Sequence, residues 1–170
     1  MSMIGAIAGD IIGSVYERHN LRSTVFPLFD PWCHFTDDTV LTVAVADAIL
    51  TASDYAEKLR EYFRLYPRRG YGPGFVRWAS SDKNRPYYSK GNGSAMRVSP
   101  VGFAFSTLEE VLEEAEKSAR VTHNHPEGIK GAQAVASAVF LARTGSRKET
   151  IKEYIERTFG YNLSEPLDEI

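Results

Sequence analysis

With 170 residues, 43% hydrophobic and 12% aromatic, the sequence can bury one sizeable core, and its length favours a single domain over residues 1–170. Lys plus Arg number 20 against 22 Asp plus Glu, and a net charge of -2 excludes the broad basic excess on which nucleic-acid binding relies. Lone Cys33 excludes an internal disulfide, Met1-Ser2-Met3-Ile4 lacks the basic flank of a secretory signal, and the apolar run Val40 to Leu50 is shorter than the ~20 residues of a membrane span, so a cytoplasmic protein is expected.

Helical periodicity dominates in chain order. Gly5, Gly9 and Gly13 line one face of a helix within Ile4 to Val15, which admits either tight helix packing or close approach of a ligand. A polar, aromatic stretch follows from His19 to Trp32, read as a long loop. Thr36-Asp37-Asp38-Thr39 then stands ahead of the apolar helix Val40 to Leu50. Ser53 is placed as the cap of Asp54 to Tyr66, whose Tyr55, Leu59, Tyr62, Phe63 and Tyr66 recur at helical spacing and are expected in the core.

Pro67 to Gly93 carries three of the eight prolines and five of the thirteen glycines and reads as a second long loop, with a helix opening near Gly93. Thr107-Leu108-Glu109-Glu110 is a capping box for a helix with an apolar stripe from Leu108 through Ala119. Pro126 opens an Ala-rich helix to Arg143, and Ser146-Arg147-Lys148-Glu149 reads as a second box for Arg147 to Phe159, closed by Gly160. Six or seven helices and no period-2 strand define an all-α fold.

Four constellations carry chemistry. Adjacent Asp37 and Asp38 repel unless a cation or hydrogen-bond donors compensate them, and with the Thr36 hydroxyl they offer the oxygen ligands that magnesium, manganese or calcium prefer. The same residues also serve as an N-cap with macrodipole complementation, and the segment alone leaves both readings open. Gly9-Asp10 with Glu17 places a carboxylate shortly beyond a Gly-rich helix, although Glu17 in isolation reads rather as a solvated surface charge. Ser89-Lys90-Gly91-Asn92-Gly93 exposes backbone N–H groups suited to a diphosphate, or forms a simple turn. Thr122-His123-Asn124-His125-Pro126 gathers polar groups between helices for ligand hydrogen bonding or capping, and with four His in the chain and no Cys nearby a structural zinc site is disfavoured.

Taken in order, Gly5-Ala6-Ile7-Ala8-Gly9-Asp10 through Glu17, Phe35-Thr36-Asp37-Asp38-Thr39, Gly91-Asn92-Gly93-Ser94-Ala95-Met96-Arg97 and Thr122-His123-Asn124-His125-Pro126 resemble the ADP-ribosylglycohydrolase family, which includes the dinitrogenase reductase-activating glycohydrolases. The resemblance implies an all-helical orthogonal bundle and a metal-dependent hydrolase that removes ADP-ribose from a modified protein or small molecule. It implies a binuclear Mg2+ or Mn2+ centre with Thr36, Asp37 and Asp38 as metal ligands, and with Glu17, Asp37 and Asp38 as the catalytic carboxylates. Ser89, Gly91, Asn92, Gly93 and His123 would then bind the substrate. Lys90 stands where several relatives carry an aromatic residue, which leaves Tyr87 or Tyr88 as candidates for stacking.

Relatives carry a second Asp-x-Asp-Thr motif toward the C-terminus, and none follows residue 39 here, so the second half-site is missing and the chain is expected to be C-terminally shortened. The competing expectations are an inactive ADP-ribose-binding relative and a helical interaction module. A homo-oligomer is expected because apolar flanks would otherwise be exposed.

Overall fold

A computed structural model describes residues 3–17, 21–83 and 85–165. His19, at the head of the first loop, and the tail Asp168-Glu169-Ile170 lie outside the described residues. Among the described residues the chain forms nine helices and no strand: α1 (Ile4–Gly13), α2 (Asp37–Leu50), α3 (Tyr55–Leu65), α4 (Pro73–Ala79), α5 (Gly93–Met96), α6 (Ser99–Ala104), α7 (Leu108–Arg120), α8 (Pro126–Arg143) and α9 (Lys148–Phe159). The all-α architecture expected from periodicity is the one found.

The core forms where α2, α7 and α8 bring their apolar faces together with the shorter α5 and α6. Leu41, Ala44 and Val45 of α2 meet Val98 and Val101, Val111 and Ala115 of α7, and Ala132 and Ala136 of α8, all buried. Small residues set the close approach of α6 and α8. A Cβ on Gly102 would lie 2.6 Å from the Ala136 carbonyl oxygen and 2.7 Å from the Val139 Cβ, so only glycine fits there. Leu59 of α3 and Phe75 and Trp78 of α4 close the other side of the core.

Caps explain most boundaries. Thr107 accepts from the Glu110 N–H while the Glu110 carboxylate accepts from the Thr107 N–H, the reciprocal box that the sequence predicts. Pro126 occupies the first turn of α8, and α9 ends on Gly160 in the left-handed region at φ 72°.

Several expectations shift. Asp54, rather than Ser53, caps α3 by accepting from the Glu57 N–H, because its carboxylate reaches the first-turn amide while the Ser53 hydroxyl pairs with Thr51. Ser146 is not the cap of α9; Arg147 takes that position without a side-chain bond. Tyr66 is 42% exposed, because α3 ends at Leu65 and releases it from the core face. The stretch Pro67 to Gly93 is no uninterrupted loop: Pro73 at a first-turn position starts α4. Nor is the glycine face of α1 packed, since a Cβ on Gly5, Gly9 or Gly13 would meet nothing within 4 Å.

Candidate functional site

The site begins at the junction of α1 and α2. Asp10 is the lone charged residue of α1, and its carboxylate lies at the N-terminus of α2, where four donors converge on it. Oδ2 accepts from the Thr36 N–H at 2.8 Å, from the Thr39 N–H at 3.1 Å and from the Thr39 hydroxyl, and Oδ1 accepts from the Thr36 hydroxyl at 2.5 Å. Asp10 therefore acts as a cap donated across the helix pair, satisfying first-turn amides that α2 cannot satisfy internally. Thr36 is buried and also caps α2 itself, accepting from the Asp38 N–H at 3.3 Å.

Around this junction Asp10, Glu17 and Asp38 each place one carboxylate oxygen within 4.8 Å of the others. Burial is the first cause that pushes Asp38 up to about 6, followed by the charges of Asp10 and Glu17. Asp37 is pushed up to about 7, first by burial and then by the charge of Asp38. Both shifts combine burial with a concentration of negative charge at this junction. The donor set suits a hard divalent cation, being all oxygen, and Oδ1 of Asp10 keeps a free lone pair after its single hydrogen bond.

Two cavities adjoin here. An acidic one of about 470 Å³ is lined by Gly9, Asp10, Gly13, Glu17, Asp37 and Asp38 among others. A second of about 260 Å³ is lined by Phe75, Tyr87, Ser89, Gly91, Gly93, Arg97 and His123 among others. Asp37, Gly72, Asn92 and Met96 line both, so the two form a continuous cleft with a carboxylate end and an end bounded by glycines and the His123 ring. The open glycine face of α1 is one wall of that cleft.

Tertiary packing places the remaining predicted residues. The Ser94 hydroxyl, fully buried, donates to the Gly128 carbonyl at 2.7 Å and pins the start of α5 to α8. Gly128 has no room for a side chain, because a Cβ would stand 2.7 Å from the Ser89 carbonyl oxygen and 2.9 Å from the His123 Cβ. Ser89, Gly91, Asn92, Gly93 and His123 are thereby brought to one cavity, with the His123 ring next to Gly93. Burial, then the charge of Arg97, lowers His123 to about 4, and the ring is neutral near pH 7.

The polar cluster ahead of α8 divides its work. His125 caps α8 by accepting from the Glu127 N–H at 3.1 Å, and Asn124 accepts from the Tyr88 N–H at 2.8 Å, so His123 alone of the three lines the cleft. Tyr87 also lines it, while Tyr88 is 60% exposed and packs edge-on against His125. Lys90 lies in a different, apolar groove between α8 and α9.

The sequence places Arg97 and Thr122 within their motifs but gives neither an individual role. Arg97 is 0% exposed and donates through Nη2 to the Ser118 carbonyl and to the Thr122 hydroxyl, each at 2.9 Å. A usable signal existed: an arginine between Met96 and Val98 in an otherwise small and apolar segment is a charge that must be buried for a reason.

An all-helical domain with carboxylates massed at one end of a cleft and glycine-bounded donors at the other belongs to the class of all-α bundles that carry a polar interhelical cleft. The profile of the ADP-ribosylglycohydrolase family matches residues 1–169, and the chain belongs to that family. It is 30% identical to ADP-ribosylhydrolase ARH3 of Mus musculus and 29% identical to ADP-ribosylhydrolase ARH3 of Homo sapiens, over 94% of this chain and 52% and 53% of those relatives. An uncharacterized protein of Archaeoglobus fulgidus is 32% identical over 75% of this chain and 46% of its own length. The chain spans about half the length of the curated relatives it matches. Among the described residues no helix is long and apolar enough to cross a membrane.

Proposed function

We propose that this chain binds ADP-ribosyl groups in the cleft and hydrolyses their glycosidic bond in a reaction that depends on Mg2+ or Mn2+. The observation that carries the reading is the continuity of the cleft: the Asp10–Glu17–Asp38 cluster and Asp37 at one end, Ser89, Gly91, Asn92, Gly93 and His123 at the other. The spatial order matches a ligand with a diol-bearing sugar at one end of an anionic linker.

Asp37 and Asp38 would hold the cation, with Glu17 and the free lone pair of Asp10 completing the protein donors, and the Thr36 hydroxyl orienting Asp10. A bound divalent cation supplies charge stabilisation and an acidified water to the site. Glu17, exposed at the rim, positions water or accepts its proton. Ser89 to Gly93 cradle the diphosphate, and the neutral His123 ring donates a hydrogen bond to the ligand. Cleavage at the anomeric carbon passes through an oxocarbenium-like state, for which carboxylates fixed beside the ribose are electrostatically suited.

The test is release of free ADP-ribose from an ADP-ribosylated protein, with Mg2+ and with chelator, beside calorimetric titration of ADP-ribose. Release that requires Mg2+ and disappears in Asp37→Ala and Asp38→Ala is expected. Release unchanged in both variants rejects the metal role, and saturable binding without release identifies a non-catalytic ADP-ribose binder. Neither binding nor release would leave the chain as a helical interaction module. The apolar groove between α8 and α9, where Val135 is exposed, further supports association of the chain with a second copy.

A further inference from the structure

We propose that Arg97 and Thr122 are positioning residues that lock the neutral His123 ring in its Nε2–H tautomer, so that the cleft is offered a hydrogen-bond donor and never an acceptor at that point. The inference rests on the reading of the cleft as the ADP-ribose site only for the identity of the ligand; the tautomer itself follows from the protein's own hydrogen bonds.

The chain of donors runs in one direction. A guanidinium has five N–H donors and no acceptor, so the contact of Arg97 Nη2 with the Thr122 hydroxyl oxygen, at 2.9 Å, has the hydroxyl as acceptor. The same oxygen lies 2.8 Å from Nδ1 of His123. Thr122 is 0% exposed, and no other acceptor for its hydroxyl proton occurs among the hydrogen bonds of the described residues. If Nδ1 carried the ring proton and donated it to Thr122, the buried hydroxyl proton would be left without an acceptor, a desolvation loss that folding avoids. The proton of Thr122 therefore goes to Nδ1, which must be the bare nitrogen, and the ring proton resides on Nε2.

Geometry directs that proton usefully. Nε2 and Cε1 lie 3.1 Å and 3.0 Å from where a Cβ on Gly93 would stand, so the protonated edge of the ring faces the turn at the entrance to α5. His123 is 3% exposed and its backbone N–H donates to the Ala119 carbonyl at 2.8 Å, which leaves the ring little freedom to turn over. Arg97 is anchored independently through the Ser118 carbonyl, so the relay starts from a fixed point at the end of α7. Burial first, and then the nearby guanidinium charge, keep the ring from accepting a second proton. A ligand group that meets Nε2–H must be an acceptor, as phosphate and ribose oxygens are, and a donor-only group such as an ammonium is rejected.

Histidine-selective 15N labelling with long-range 1H–15N correlation at pH 7.5 reads the tautomer without ligand or turnover, with His123→Gln identifying the resonances. The expected result is a protonated Nε2 and a bare Nδ1 for His123. Thr122→Val, which keeps the shape and removes the hydroxyl, should introduce a measurable Nδ1–H population and weaken ADP-ribose binding about tenfold, the size of one hydrogen bond. Thr122→Ser should restore both. A protonated Nδ1 in the unaltered protein overturns the proposal, as does a Thr122→Val spectrum identical to it. If the spectra behave as expected while no variant binds ADP-ribose, the relay stands and the ligand assignment falls.

Discussion

Asp37 and Asp38 show what single residues contribute, because burial and then neighbouring carboxylate charge, Asp38 for Asp37 and Asp10 with Glu17 for Asp38, raise both above the ordinary carboxylate range, Asp37 to about 7 and Asp38 to about 6. For Asp37 the folded value exceeds the unfolded 3.8, so the folded state binds more protons between those pH values and loses stability as pH rises through them. His123 acts oppositely: its folded value near 4 lies below 6.5, and its contribution is present above 6.5 and lost as pH falls toward 4. In chelator, the melting temperature of Asp37→Asn minus that of the unaltered protein should therefore grow from pH 4 to pH 7.5. With solvent screening at this partly open site, the difference is on the order of 1 kcal/mol. Mg2+ should raise the melting temperature of the unaltered protein more at pH 7.5 than at pH 5, since protons and cation compete for the same oxygens. A cation effect independent of pH would remove these carboxylates from the binding set. Gly93 tests the opposite end of the cleft. Gly93→Ala must displace the His123 ring by a few tenths of an ångström, and calorimetry should show ADP-ribose binding weakened about tenfold with little change in melting temperature.

At the scale of elements, the α1–α2 pair depends on one carboxylate serving another helix's first turn. Asp10→Ala removes all four of its hydrogen bonds and leaves two first-turn amides of α2 without that partner, so urea unfolding should show a loss of about 2 kcal/mol. Thr107→Ala, which removes only the local box of α7, should cost about 1 kcal/mol. Gly102→Ala should cost about 1–3 kcal/mol, since its Cβ meets the α8 backbone, which cannot turn aside as a side-chain end can. The contrast between Asp10 and Thr107 also explains which features the sequence made legible. The box at Thr107 and the proline at the head of α8 are local patterns, written within a few residues, and both stand as expected. The cap at Asp10 joins positions 26 and 29 residues apart, so the sequence reveals an acid in an apolar helix but not its partners. Helix α4 was hidden because Gly and Pro dominate its surroundings, and Pro73 reads as a breaker until the structure shows it in the first turn. The motif residues Asp37, Asp38, Gly93 and His123 could be read as a set, whereas Arg97, Ser118 and Thr122 meet only through the packing of α5 against α7.

At the scale of the whole molecule, two apolar depressions among the described residues differ in size and in the charge at their rims. One is a small depression of about 210 Å³ formed by Met3, Ala46, Ile49, Leu50, Pro100, Phe103 and Ala104, and Ile4 next in the chain is exposed. The other is a groove of about 530 Å³ between α8 and α9, where Ala134, Val135, Ala138, Ile151, Ile155 and Leu163 face it and Lys90 and Glu127 mark its rim. The larger groove with a charged rim is the better template for burying a helix face than the smaller depression, because it removes more apolar surface from water. Association through a single patch gives a closed, two-fold dimer, whereas use of both patches in a head-to-tail contact gives open chains. The groove is therefore the expected seat of self-association, and sedimentation velocity at micromolar concentration should show a dimer. Val135→Lys should return it to monomer, and Leu50→Lys on the opposite surface should not. A monodisperse monomer of the unaltered protein removes the prediction, and dissociation by Leu50→Lys instead moves the contact to the α1–α2–α6 face.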